Sequence, residues 1–370
     1  MPEDSAANPG TPALQGVRVL EFEGAGPVPF CGMLLADLGA DVVVVERAAA
    51  IEGPFVVPAN LDVLKRGKRR IRLDLKFEQG RELAADLASR ADVLLEGFRP
   101  GVMERLQLGP RELRASNARL VYGRVSGYGQ TGPSAMRPGH DLNFLAESGA
   151  LYYMGRADDV PLPPLNLIAD FAGSGTLAAT GVLAALLQAR ATGMGQVVDV
   201  SMLQACRLMM ASICSWRATG LWREERGANF IDGSCPWYAV YRARDGAMLA
   251  IASLEPQFYA TLVQVLDMAQ FADAQWDKAR WPQIASSLTR MFATRDRQHW
   301  LDLFAHRDAC VSAVDPLPDA DASREPPDGW HTLNGVVQPR GMFPALGIPP
   351  RSPTLEDAAA VLQSWRQPAQ

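Results

Sequence analysis

The chain has 370 residues, 48% of them hydrophobic and 21% charged, which is enough apolar material for a sizeable core and suggests two domains. A formal net charge of -5 gives no general attraction to nucleic acid or acidic membranes, so an anionic ligand has to be met by a local basic patch. The five cysteines (Cys31, Cys206, Cys214, Cys235, Cys310) are odd in number and contain no CxxC pair, which argues against a disulfide framework and against a zinc site.

Residues Met1 to Thr11 lack the charged and apolar regions of a signal peptide, and no apolar run is expected to reach the ~18 residues of a membrane span. With Gln367-Pro368-Ala369-Gln370 at the end in place of a Ser-Lys-Leu address, the expected location is the cytoplasm, with no membrane partner. Val17 to Leu20, Asp41 to Glu46, Ala91 to Leu95 and Arg119 to Val125 read as short strands separated by helical patterns. That alternation indicates βα units and a largely parallel, buried sheet, an α/β fold. A long apolar run follows Asp170 and ends near Arg190, and Met202 to Trp222 has helical spacing. Trp237 to Ala252 is again β-rich, with a hairpin turn at Arg244-Asp245-Gly246. Helical patterns then cover Gln257 to Val265, Trp281 to Phe292 and Gln298 to Ala305, and the Pro/Asp-rich stretch Asp315 to Asp328 reads as a linker or loop. The expected organisation is a large α/β domain (1–200), a linking helix (201–230), a small α+β domain (231–316) and a linker with a C-terminal return to the large domain (317–370).

Only four histidines occur, and one of them, His140, lies in a Gly-flanked turn beside Asp141. Asp170, in Asn166-Leu167-Ile168-Ala169-Asp170-Phe171, and Glu255, in Glu255-Pro256-Gln257-Phe258, are the other groups whose surroundings suit acid/base work. Each also has an ordinary structural explanation: a loop imidazole bonded to backbone, a helix N-cap, and a first-turn carboxylate favoured by the helix dipole.

An ordered series of motifs weighs against coincidence. It comprises Leu14 to Glu21, Leu35-Ala36-Asp37-Leu38-Gly39-Ala40-Asp41-Val42, Arg66-Gly67-Lys68-Arg69 with Asp74-Leu75-Lys76, Phe98-Arg99-Pro100-Gly101-Val102, Gly127-Tyr128-Gly129-Gln130-Thr131-Gly132, Gly195 to Asp199 and Asp308 to Val311. On these residues the chain resembles the family III CoA-transferases (the CaiB/BaiF type) over Leu14 to about Val314, and within them the α-methylacyl-CoA racemases. Gly139-His140-Asp141 and Glu255-Pro256-Gln257-Phe258 match the racemase branch; Asp170 matches both branches, being the covalent nucleophile in transferases.

The resemblance implies a large Rossmann-like CoA-binding domain, a small α+β domain and an interlocked homodimer. It implies inversion at C2 of a 2-methyl-branched acyl-CoA, with no cofactor because the CoA is part of the substrate. His140, oriented by Glu255, would work on one face of C2 and Asp170 on the other, with Asn166, four residues before Asp170, as a positioning residue and Asp141 supporting the loop around His140. Asp170 as first residue of its helix would offer backbone N–H groups to the enolate oxygen, and Gly173 and Gly175 would let the thioester approach. Arg47 and Arg105, with Lys68 or Arg69, would meet CoA phosphates, and Leu73 and Asp74 would lie by the adenine. Met202, Met209 and Met210 are candidates for an adaptable acyl surface or for plain core. Ser234 and Cys235 are bulkier than the family pattern, so acyl selectivity is expected to differ if their loop borders the active site; Val311 to Val314 also lacks its usual proline. The alternatives are a CoA-transferase using Asp170 as nucleophile and an inactive acyl-CoA-binding protein.

Overall fold

Runs of Val, Leu and Ile form the middle of a seven-stranded sheet in the computed structural model, which describes residues 11–49, 56–318 and 328–366. The strands are β1 (Arg18–Phe22), β2 (Asp41–Arg47), β3 (Arg69–Leu73), β4 (Val93–Glu96), β5 (Val121–Ser126), β6 (Val197–Ser201) and β12 (Thr354–Leu355). Their order is β12-β3-β2-β1-β4-β5-β6, and every pair is parallel. The four central strands are those expected from sequence. β3 and β6 were not expected as strands: Ile71 and Leu73 of β3 are buried, but Arg69 and Arg70 read as polar surface. Both arginines are held by acids from neighbouring segments, Arg70 by Glu46 at 2.7 Å and Arg69 by Asp41 at 3.0 Å and Glu356 at 2.8 Å. From β1 the chain builds outward through β2 and β3, then returns to β4 and builds the other way. Such a reversal opens a crevice beyond the carboxyl ends of the strands.

Helices cover both faces of the sheet, as a buried parallel sheet requires. One side is packed by α2 (Glu78–Ala88) and α12 (Ala358–Arg366), whose Leu87, Val361 and Trp365 join Leu20, Val43, Ile71 and Leu94 in one core. The other carries α1 (Pro27–Asp37) and α6 (Thr176–Thr192), which presents buried Val182, Ala185 and Ala189. The π-helical turn Leu167–Gly175 runs directly into α6. Together they make a 26-residue helix long and apolar enough, by length and composition, to cross a membrane. This corrects the expectation that no such run exists; here the helix packs on α1 and β5.

The chain divides into two units. The first holds the described residues up to Ser148, Leu165–Met209 and the described residues from Pro318 onward; the second holds Gly149–Pro164 and Met210–Leu317. These divisions differ from the expected boundaries. The stretch read as one linking helix breaks into α7 (Met202–Met209) and α8 (Ala211–Ala218), and the chain changes unit at the break. In the second unit β7 (Tyr238–Arg242), β8 (Met248–Ala252) and β9 (Val311–Val314) form an antiparallel sheet, with the hairpin turn at the expected Gly246. Its core contains Trp237, Leu249 and Ile251 packed with Tyr259 and Leu262 of α9 (Pro256–Val265), Ile284 and Phe292 of α10 (Trp281–Phe292), and Trp300 of α11 (Arg297–Phe304). In the C-terminal part of the first unit, β10 (Trp330–Leu333) and β11 (Val336–Pro339) form a hairpin, β12 pairs with β3, and Trp365 donates to Asp41 at 2.7 Å. Residues 1–10 and 367–370, read above for targeting signals, and most of the Asp315 to Asp328 segment lie outside the described residues.

Candidate active site

The crevice in the first unit opens where β1, β4 and β5 end, and it is a cavity of about 550 Å³. Its walls come from the loop Ala25-Gly26-Pro27-Val28 after β1, from Gly97 to Pro100 after β4, and from Ser126-Gly127 after β5. His140, Asn143, Asp170 and Met202 complete it. His140 has extended backbone (φ -126°, ψ 176°) and is the N-cap of α5 (Asp141–Glu147); its N–H donates to the Asn143 side chain at 3.0 Å. The local chain thus turns on His140 and leaves the imidazole exposed. Asp170 reaches the same crevice from the π-helical turn and is half-buried. Gly26 lies against it with φ +68°, and a Cβ there would stand 2.9 Å from Asp170 Oδ2. Both the backbone angle and the carboxylate therefore require glycine at that point.

Burial pushes the Asp170 carboxyl above the ordinary aspartate range, and the nearby charge of Asp141 adds to the shift. Donation from Asn166 Nδ2 at 3.1 Å and the proximity of His140 oppose it without cancelling it. Asn166 thus contacts the Asp170 carboxylate directly.

Asp141 is buried, and its Oδ2 accepts from the backbone N–H of Ala169 at 2.8 Å and of Asp170 at 2.9 Å, so the residue that follows His140 ties the start of α5 to the Asp170 segment. Asp170 is not a helix N-cap but the fourth residue of the π-helical turn, whose N-cap is Asn166. Its N–H is already engaged by Asp141 and is unavailable to an enolate oxygen. Gly173 and Gly175 also serve packing: an added Cβ would meet Ile168 O at 2.9 Å in the first case and Phe30 Cδ1 at 2.7 Å in the second.

A second cavity, about 450 Å³, lies beside the first along the ends of β1, β2 and β3. Arg47, Leu73, Asp74, Lys76 and Val102 line it, and Phe98 is common to both cavities. Arg105 is exposed at the end of the adjacent helix α3 (Val102–Arg105). Lys68 does not belong with them: it is fully enclosed, gripping Glu21 at 2.6 Å and Pro29 O at 2.8 Å, so it cannot meet a phosphate in solvent. Arg69 is likewise committed to Asp41 and Glu356. Arg99, exposed on the wall of the first cavity, was overlooked as a site residue although the Phe98-Arg99-Pro100-Gly101 motif carried the signal.

Met202 is buried on the wall of the first cavity, whereas Met209 is 44% exposed at the end of α7, and Met210 begins the second unit. Glu255 belongs to the second unit, exposed at the N-cap of α9, where its carbonyl accepts from Phe258 and Tyr259. Burial, then the charges of Glu255 and Asp308, raise the Cys310 thiol above its ordinary range. Cys235 is enclosed in that unit's core and Ser234 Oγ is bonded to Asn229 O. Among the described residues no group of three or more His, Cys, Asp or Glu side chains is placed to hold a metal ion.

Comparison with known proteins sets this geometry in context. The chain is 43% identical to mouse (Mus musculus) α-methylacyl-CoA racemase over 302 residues, 81% of this chain and 77% of that protein. It is 42% identical to the human (Homo sapiens) α-methylacyl-CoA racemase over 303 residues, 82% of this chain and 78% of that one. A crystal structure of a CaiB/BaiF family protein from Brucella suis superposes with a TM-score of 0.77 at 25% identity, covering 95% of this chain and 98% of that one. The model of CoA-transferase family III matches residues 14–357, and the chain belongs to that family.

Proposed function

We propose that the protein is an α-methylacyl-CoA racemase that interconverts the (2R) and (2S) forms of a 2-methyl-branched acyl-CoA. The observation that carries this reading is the convergence of His140 and Asp170 on one crevice, in a chain 43% identical to a racemase of that name. Inversion needs a base on one face of C2 and an acid on the other. In one direction His140 takes the C2 proton, the electron pair moves into the thioester to form an enolate, and Asp170 delivers a proton to the opposite face; the reverse direction exchanges the roles. An ordinary aspartate is a weak base for this step, and the burial that raises the Asp170 carboxyl strengthens it.

The cavity beside the crevice takes the CoA nucleotide, with adenine by Leu73 and Asp74 and phosphates met by Arg47, Arg99 and Arg105, while the pantetheine arm passes Phe98. The reaction needs no added cofactor, and the working assembly is an interlocked homodimer. The test uses one enantiomer of a 2-methylacyl-CoA in deuterated water. Racemase activity places deuterium at C2 while the other enantiomer forms, with no acceptor acid, and is abolished by His140→Ala. Transfer of CoA to an added carboxylate, without C2 deuteration and surviving His140→Ala, would instead mark Asp170 as a covalent nucleophile.

A further inference from the structure

The segment that delivers His140 to the crevice is held by contacts that neither proposed acid/base group makes. Residues 129–139 form a strap between the end of β5 and α5. Near its end the Arg137 guanidinium grips the Glu147 carboxylate with two bonds, Nη2 to Oε1 at 2.7 Å and Nη1 to Oε2 at 3.2 Å. At its start the Tyr128 hydroxyl donates to the same Oε1 at 3.0 Å, and the guanidinium lies over the Tyr128 ring at 4.8 Å. Tyr128 in turn meets Phe144 edge-on at 5.1 Å. Phe144 leaves no room for a Cβ at either flank of the strap: one at Gly127 would stand 2.4 Å from its ring, and one at Gly139 2.8 Å. Both ends of the strap are thus gathered on α5, the helix that His140 caps, and Arg137 lines the crevice with His140.

We infer that Arg137, Glu147 and Tyr128 form a clasp that positions His140, with Arg137 as the positioning residue. The inference rests on the racemase reading and extends it. Bidentate Arg–carboxylate geometry fixes direction as well as distance, which a lysine cannot reproduce. Small displacements of a proton-transfer group are costly in rate. Asp170 has bonds that involve none of the clasp residues, from Asn166 to its carboxylate and from its own N–H to Asp141 at the start of α5, so loosening the clasp acts chiefly on His140.

The two enantiomers distinguish this effect from general damage. One loses its C2 proton to His140 and the other to Asp170, so wash-in of solvent deuterium reads each group by itself. In Arg137→Gln the enantiomer deprotonated by His140 should lose both wash-in and inversion by about tenfold at saturating substrate. The other should keep wash-in within about threefold of wild type, now with retention. Glu147→Gln should behave alike, Arg137→Lys should restore little, and the double variant should be no worse than either single. His140→Ala sets the limiting pattern. Equal slowing of wash-in for both enantiomers, or unchanged wash-in in both variants, would overturn the clasp. Absence of C2 exchange in the wild type would instead defeat the racemase reading and this inference with it.

Discussion

Replacing Asp141 by alanine tests the contact that holds the proposed catalytic aspartate. Asp141 Oδ2 is the acceptor for two backbone donors, Ala169 N–H and Asp170 N–H, in a residue only 7% exposed. Removing a charged acceptor from a buried donor costs about 1.5–3 kcal/mol per bond. Part of this is offset, because Asp141 Oδ1 is itself buried without a partner and the alanine variant no longer carries that desolvated charge. A net loss of about 2–3 kcal/mol follows, read as a lower urea midpoint at unchanged slope. Asp141→Asn keeps an acceptor oxygen and should lose less than half as much. It also removes the charge that helps raise Asp170, so the acid limb of its rate profile should move to lower pH. A loss below about 0.5 kcal/mol in Asp141→Ala would refute the reasoning, because it would mean that the two N–H groups find other partners at no cost.

Lys68→Met leaves Glu21 buried and unpaired and should destabilise the protein by about 3–5 kcal/mol in the same unfolding assay, whereas Lys68→Met with Glu21→Leu should recover most of that loss. Asp170→Asn should abolish inversion yet raise stability at neutral pH. Because the folded carboxyl titrates above its unfolded range, the penalty of ionising it grows as pH rises from the unfolded value to the folded one and is complete above it, and the advantage of the asparagine should vanish as pH falls below the ordinary aspartate value of 3.8. Arg99→Ala and Arg47→Ala should each raise KM for acyl-CoA by about tenfold with little change in kcat, the mark of uniform binding lost, whereas Lys68 contributes nothing to that binding.

The sequence made the centre of the fold legible where burial is two-sided. Val42 to Val45 and Val93 to Leu95 carry no polar interruption because helices cover them on both faces. β3 escaped because three of its five residues are arginines, two of them bonded to acids whose proximity only the folded chain creates. The Lys68 misreading has the same origin: a basic motif looks like a phosphate patch until Glu21, 47 positions earlier, is found beneath it. At the site, His140 and Asp170 were visible as residues in characteristic settings, but Asp141's partner lies 28 positions away and could not be read. The π-helical turn has no sequence signal either. A helix with normal register would begin with Asp170 as a cap; here the turn begins at Leu167, and Ser174 Oγ returns to Ala169 O at 2.6 Å across the wider ring.

The two proposed acid/base groups therefore differ in what holds them beyond the buried bonds of Asp141, which tie the Asp170 segment to the start of α5 and lie beyond the reach of mobile ions. His140 depends on Arg137 and Glu147, both exposed, and exposed ion pairs weaken as the Debye length falls from about 10 Å at 0.1 M to about 3 Å at 1 M salt. Salt should accordingly act on one half of the reaction. Raising ionic strength also weakens binding of the anionic thioester, but at saturating substrate, and in the ratio of deuterium wash-in rates for the two enantiomers, that common effect cancels. The ratio should shift severalfold between low and high salt in the wild type, against the enantiomer that His140 deprotonates. In Arg137→Gln, where the Arg137–Glu147 pair is gone, the same ratio should depend far less on salt. A ratio as salt-dependent in the variant as in the wild type, or a constant one in the wild type, would show that the clasp does not govern the imidazole.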